Sequence, residues 1–504
     1  MKLDADLCYR ALASRDARFD GRFFTGVKTT GIYCRPICPA RTPKRSNVRF
    51  FACAAAAAEA GFRPCLRCRP EASPGTPAWA GTSASVSRAL RLIDEGALDR
   101  GGIEDLAARM GMGERHLRRL FDTHLGASPV AVAQTRRIHF AKKLLDETDL
   151  PMSEVAFGAG FSSIRRFNAA IRSTYGRSPT EMRKRRRPGL RAGAGANLEL
   201  RLAYRSPFDW NALVDYLAAR AIPGVEAASR ESYRRSVSID GCAGVLEVRP
   251  DPDAANGGLV LSIPAGTSRA LGPTVERVRR IFDLGADPAA IAAHLSRDRT
   301  LAPTLKRHPG LRVPGAWDGF ELAVRAILGQ QVSVARATEL AGKLAGTFGR
   351  PLPEPEEGIS WIFPPPEVLA EVDIAGLGLM PSVRAEAIRG LAAAVRDREL
   401  RLDEPLVRET ALEALTSLPG IGPWTAEYVA MRALREPDAF PASDLGLRRA
   451  ASPSRASPGS GGIVPARELE ERAVAWRPWR AYAAMALWQT GSDASAVRPR
   501  TRRR

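Results

Sequence analysis

Four cysteines carry the first chemical signal in the chain. Cys34 and Cys38 are separated by three residues, and Cys65 and Cys68 by two. Two close thiol pairs suit a tetrahedral site with four sulfur ligands, and zinc is the metal that most often takes that set. Arg35, Arg41, Lys44 and Arg45 crowd the first pair. Metal-bound thiolates among cations can meet a phosphate backbone. A second signal lies far away in the sequence. Leu418-Pro419-Gly420-Ile421-Gly422-Pro423-Trp424-Thr425 places a Gly-x-Gly turn ahead of a proline suited to the first position of a helix. The two glycines let another backbone approach, and the amides that open such a helix attract an anion. A plain tight turn between two core helices is the alternative reading of the same residues.

The elements that must hold these residues can be read in outline. Ala411 to Leu415 and Pro423 to Leu434 are expected to be the helices on either side of the turn. The chain has 504 residues and a formal net charge of +20. That length suggests roughly three or four domains, and that charge suits a polyanionic partner. Met1 to Asp6 has no apolar leader, and no apolar run is long enough to span a bilayer. A cytoplasmic protein without a membrane partner is expected. Its seven cysteines are then better read as ligands or thiols than as disulfides.

The turn region resembles the helix-hairpin-helix signature of DNA glycosylases. In that superfamily an essential aspartate follows the hairpin, and Asp444 stands at its place. The resemblance implies that Asp444 steadies positive charge on the sugar and orients the attacking water. Asp444 also fits the N-cap of a helix that begins at Leu445, and the two roles are compatible. Bifunctional members keep a nucleophilic lysine where this chain has Trp424. An indole cannot serve as that amine, so a monofunctional, water-using enzyme is expected. Gly420, Gly422 and Thr425 are the expected DNA contacts of the hairpin.

Phe19-Asp20-Gly21-Arg22-Phe23-Phe24, Thr29 to Pro36 and Gly61 to Cys65 resemble the Ada-type methylphosphotriester acceptor domain. The resemblance makes Cys34 the methyl acceptor and Cys38, Cys65 and Cys68 the other zinc ligands; of the cations that crowd the first pair, Arg35 and Arg45 are the expected contacts to DNA. Leu106 to Phe121 and Val155 to Phe167 read as two helix-turn-helix copies, with Gly111 in the first turn and Ser162 capping the second recognition helix. With Tyr175-Gly176-Arg177-Ser178-Pro179 they resemble the AraC-type DNA-binding domain. Arg118 and Arg165 are among its candidate DNA contacts. Tyr204 to Trp210 and the strands that follow resemble the N-terminal domain of AlkA-type 3-methyladenine DNA glycosylases, for which a purely structural role is expected. Phe320 to Ser333 resembles the segment that carries a wedge into the minor groove. Gln331 is the residue expected to fill the gap left by an extruded base, with capping or packing as an equal alternative.

Trp424, Tyr428 and Trp488 are the candidate base pocket. Alkylation at purine N3 or N7 makes the base cationic, and aromatic faces attract cations. Core packing is the alternative for each ring taken alone. The expected fold class is multidomain α+β. It comprises a small zinc-bound α/β domain over 1–72 and an all-α double helix-turn-helix domain over 85–187. A small antiparallel α+β domain over 196–305 and an all-α helix-hairpin-helix glycosylase domain over 306–490 follow. The expected function is excision of alkylated purines from double-stranded DNA, joined to methyl sensing and transcription activation. RNA polymerase is a further expected partner, and a monomer is expected. The alternative is a regulator whose glycosylase region is inactivated by the low-complexity stretch Ser452 to Gly462, which could disturb the helix that holds Asp444.

Overall fold

The computed structural model describes residues 3–74, 84–185, 197–239, 241–254, 257–264, 266–267, 270–402, 408–452 and 463–496. The chain divides into two compact units. One holds Met1–Ser206, Arg234–Arg279 and Leu284–Asp287, and the other Pro207–Tyr233, Arg280–Asp283 and Pro288–Arg504. The expected α+β segment over 196–305 is therefore shared between units: its long strands lie in the first, and the helix Trp210–Ala218 in the second.

In the first unit a four-stranded sheet organises the cysteines. Its order is Val48–Phe51, Phe24–Val27, Ile32–Cys34, Arg63–Pro64. The last pair is parallel and sets Tyr33 opposite Pro64. Cys34 and Cys65 each continue from that register, so two strand ends bring the two halves of the cysteine pattern together. Gly26 is required in the central strand, because a Cβ there would sit 2.8 Å from the Phe51 ring.

The tandem helical repeat follows. Ile103–Arg109 and Glu114–Leu125 form the first pair, and Met152–Gly158 and Ile164–Tyr175 the second. Gly111 and Gly160 take positive φ of 66° and 88° in the two turns, as a short helix-to-helix corner demands. The helix Pro129–Glu147 joins the copies and is capped by Ser128. The second recognition helix is capped by Ser163, whose hydroxyl accepts from Arg166 N at 3.2 Å, and not by Ser162. Only the residue directly before the first helical position has its side chain within reach of the free amides. Farther on, Asn197–Ala203, Gly258–Pro264, Cys242–Pro250 and Tyr233–Ile239 make consecutive neighbours of an antiparallel sheet. Apolar residues at alternate positions, Leu198, Val237, Val245 and Leu259 among them, suit such strands.

The second unit is helical around a core that includes Leu322, Ile327, Leu344, Ile388, Leu391, Leu415, Ala426 and Val429. Helix Gly319–Leu328 is almost wholly buried. The hairpin helices are Arg408–Thr416 and Pro423–Arg432. One element departs from the expected all-α character: Arg350–Glu356 and Ile359–Ile362 pair as an antiparallel ribbon. Three prolines within the first strand bar a helix there, and Gly358 turns the chain with φ of 74°. Among the described residues no helix is long and apolar enough to cross a membrane.

Candidate active site and candidate metal centre

Asp444 sits at the start of helix Leu445–Ala450, and its Oδ1 accepts from Leu447 N at 2.9 Å as the N-cap. Two indoles close on the same carboxylate. Trp424 Nε1 donates to Oδ2 at 3.0 Å, and Trp488 Nε1 donates to Oδ1 at 3.0 Å. The three donors come from three helices, so the plane of the carboxylate is fixed from three sides. Asp444 is only half-buried, which leaves it reachable.

The rings that flank it form one aromatic wall. Trp424 stacks on Tyr428 with centroids 5.4 Å apart and planes 10° apart, the arrangement expected of residues four apart on a helix. Trp488 meets Tyr428 edge-on at 6.3 Å and 67°. The wall has a fourth ring that sequence reasoning missed. Tyr216, from helix Trp210–Ala218, is tilted 35° against Trp488 at 6.3 Å, and its hydroxyl lies 3.2 Å from that of Tyr428. In an apolar helix Tyr216 reads as core, and no local pattern distinguishes it.

The hairpin separates the three residues expected to meet DNA. Gly420 has φ of 82°, and a Cβ there would lie 2.6 Å from the Ala387 Cβ, so internal packing alone requires glycine. Gly422 caps the second helix in extended geometry, and a Cβ there would meet nothing within 4 Å. Thr425 is 2% exposed, and its hydroxyl accepts from Gln330 Nε2 at 3.1 Å. Its side chain is therefore corrected to a buried brace, although its amide precedes the first intrahelical bond, from Ala426 N to Gly422 O. Gln330 also donates to Gly420 O at 2.9 Å, which gives it a packing role. Gln331 stands exposed at the neighbouring position with φ of 57°.

The insertion considered as a threat to Asp444 falls mostly outside the described residues, but its flanks are informative. Ser452 Oγ donates to Arg448 O at 2.9 Å and accepts from Val464 N at 3.3 Å, while Arg448 Nε donates to Val464 O at 2.7 Å. The two chain ends are thus tied to the helix that Asp444 caps, and that helix is intact.

The four sulfurs of Cys34, Cys38, Cys65 and Cys68 all lie within 4.8 Å of one another. Sulfurs about 2.3 Å from a central zinc stand about 3.8 Å apart, so the cluster fits the ion. Cys34 is half-buried, whereas its three companions are buried. Burial pushes Cys8 and Cys53 up to about 11, which leaves both as inert thiols outside the cluster. Arg35 is corrected. It is 9% exposed, its Nε donates to Asp20 Oδ1 at 2.9 Å, and its Nη1 donates to Cys68 O at 3.2 Å. Its guanidinium braces the metal loop instead of facing solvent. Arg45 lies at the surface over the rings of Tyr9 and Phe50. On the recognition helices Arg165 is exposed, and Arg118 pairs with Glu114 one turn earlier.

Known proteins resemble this chain along nearly its whole length. Family models match in chain order: the metal binding domain of Ada over 7–71, a helix-turn-helix domain over 106–185, the AlkA N-terminal domain over 199–318, and the HhH-GPD superfamily of base excision DNA repair proteins over 324–478. A probable bifunctional transcriptional activator/DNA repair enzyme AlkA of Mycobacterium tuberculosis is 44% identical, over 97% of this chain and 96% of that one. The chain belongs to this AlkA family of bifunctional activators and repair enzymes. DNA-3-methyladenine glycosylase 2 of Escherichia coli is 36% identical over 57% of this chain and 96% of its own length. The solved 3-methyladenine DNA glycosylase of Archaeoglobus fulgidus has a TM-score of 0.50 and 26% identity, covering 59% of this chain and 99% of that one.

Proposed function

We propose that this AlkA-family protein excises alkylated purines, of the 3-methyladenine kind, from double-stranded DNA and also senses DNA methylation to activate transcription. One observation carries the first half: a reachable carboxylate held by two indole N–H groups beside a stacked aromatic wall. A flipped cationic base would lie against the rings, where desolvated cation–π contacts contribute about 2 kcal/mol. As the C1′–N bond breaks, its electron pair leaves with the base. Asp444 steadies the charge that develops on the sugar while water adds to C1′ and loses a proton. Trp424 offers no amine at the place of the bifunctional lysine, so the reaction ends at an abasic site with the strand intact. Gln331, exposed on its turn beside the hairpin, is the residue to fill the vacated stack. Gly422 and the amides of Trp424 and Thr425 receive a phosphate.

In the first unit the four thiolates would hold zinc, which supplies an ionised sulfur nucleophile at neutral pH. Cys34, the accessible member of the set, takes methyl from a DNA phosphotriester: an S–C bond forms, a C–O bond breaks, and the phosphodiester leaves with the electrons. The charge of the four-thiolate site falls in magnitude from about 2 to about 1, which lowers repulsion from DNA. Arg45, Arg118 and Arg165 are its candidate DNA contacts, RNA polymerase its partner, a monomer its form and the cytoplasm its place of work.

Release of free 3-methyladenine from methylated duplex DNA, lost in Asp444→Asn, tests the glycosylase. A methyl adduct on Cys34 by mass spectrometry, with methyl-induced promoter binding lost in Cys34→Ala, tests the sensor. An intact Asp444 helix beside the insertion supports the active reading over that of a regulator with an inert repair half.

A further inference from the structure

Arg432 poses a problem of charge. It is 3% exposed, and its donors go to Pro314 O at 2.8 Å, Gly315 O at 3.0 Å and the Tyr428 hydroxyl at 2.8 Å. Among the described residues it makes no ion pair. A second cation lies close by. The Arg220 guanidinium sits 3.7 Å over the Tyr216 ring, with Nη1 donating to Tyr216 O at 3.3 Å, and it too has no carboxylate partner among the described residues. Buried guanidinium without a counter-charge is costly. Among the described residues the one side-chain oxygen bonded to Arg432 is that of Tyr428, which is also within 3.2 Å of the Tyr216 hydroxyl.

We propose that Tyr428 works in the base pocket as a phenolate, the counter-ion of Arg432, and that this charge makes the pocket favour cationic over neutral alkylated bases. The proposal rests on the glycosylase reading for its substrate, but its electrostatics stand alone. Burial pushes the Tyr428 phenol up. The opposing pull of Arg432 and Arg220, with hydrogen bonds from Tyr216 and Arg432, outweighs it and brings the group down to about 7. Burial is the largest influence on Tyr216, which rises to about 12 and remains the donor. Nearby carboxylates have partners of their own. Glu427, on the same helix as Tyr428, is engaged by Arg408 and by Phe440 N. Asp215, on the helix of Tyr216, pairs with Arg230. Glu226 is engaged by Arg325 at 3.1 Å and by the Tyr233 hydroxyl at 2.6 Å. Asp444 opposes ionisation, but its oxygens are taken by two indoles and one amide. A phenolate ring offers a more negative face than a phenol, and Tyr428 lies in the same wall as Trp424 and Trp488.

The test is an ultraviolet titration of tyrosinate absorbance in the full-length zinc-loaded protein between about pH 5 and about pH 9. We expect a one-tyrosine step centred near pH 7 that is missing in Tyr428→Phe. Superimposable curves for the two proteins overturn the proposal, and since no excision is measured, that failure is separate from failure of the glycosylase reading. Tyr216→Phe removes one donor and should move the step upward in pH; an unmoved step counts against the network. For selectivity, the ratio of kcat/KM for 3-methyladenine over that for the neutral alkylated purine 1,N6-ethenoadenine in duplex DNA should rise with pH through the same step. In Tyr428→Phe that ratio should fall about tenfold and lose its pH dependence. A flat ratio in the unaltered protein overturns the link between charge and selectivity.

Discussion

The cysteine cluster and the aromatic wall are both built from four side chains, but the chain reaches them in opposite ways. All four thiols lie within 35 residues, from Cys34 to Cys68, and one parallel strand pair aligns them. Tyr216, Trp424, Tyr428 and Trp488 come from three helices distributed over more than half of the sequence. A site made by local geometry leaves its spacing in the sequence. A site made by tertiary packing leaves only residue types that any core also uses. The first depends on an ion for its cohesion, the second on the hydrophobic core beneath it.

That contrast predicts a ranking of effects. Chelating zinc, or Cys65→Ser, should unfold the acceptor segment, because structural zinc contributes on the order of 10 kcal/mol at neutral pH. Circular dichroism and limited proteolysis would follow that loss, while release of 3-methyladenine persists; loss of both activities together would break the comparison. Next in size, Asp444→Asn should slow base release about a thousandfold, roughly 4 kcal/mol of transition-state stabilisation, measured by single-turnover kinetics. The two hairpin glycines should then part company. Gly420→Ala introduces a strained positive φ and a clash with Ala387, and should destabilise by about 1–3 kcal/mol in thermal unfolding. A Cβ at Gly422 meets nothing within 4 Å, so Gly422→Ala should change stability by no more than about 0.5 kcal/mol while DNA affinity falls. The last contrast distinguishes the two serines of the second recognition helix. Ser163→Ala should cost about 1 kcal/mol by denaturant unfolding, and Ser162→Ala much less.

Legibility varied with how local each determinant is. The cysteine set, both helix-turn-helix copies and the hairpin were readable because their signals are spacing, glycine and proline. The ribbon at Arg350–Glu356 was not foreseen, although its prolines bar a helix. Arg35 was misread because a basic residue beside a ligand suggests phosphate, and only the fold reveals Asp20 within reach of its guanidinium. Thr425 was misread for the same reason: the bond to Gln330 spans 95 residues. Gln330 and Gln331 are neighbours in sequence, yet a positive φ at the second sends their side chains to different fates. Tyr216 and Arg220 lay in a segment taken to be structural, and nothing short of the tertiary contact with Tyr428 marks them.

The stitching between Ser452 and Val464 has a practical corollary. Because both ends are anchored, the span joining them can change in length at little thermodynamic penalty, since closure entropy grows only with the logarithm of length. Evolution can lengthen or trim the chain there without shifting the aspartate a few residues upstream. The same position offers an engineer a grafting point for a reporter or affinity peptide in a working repair enzyme.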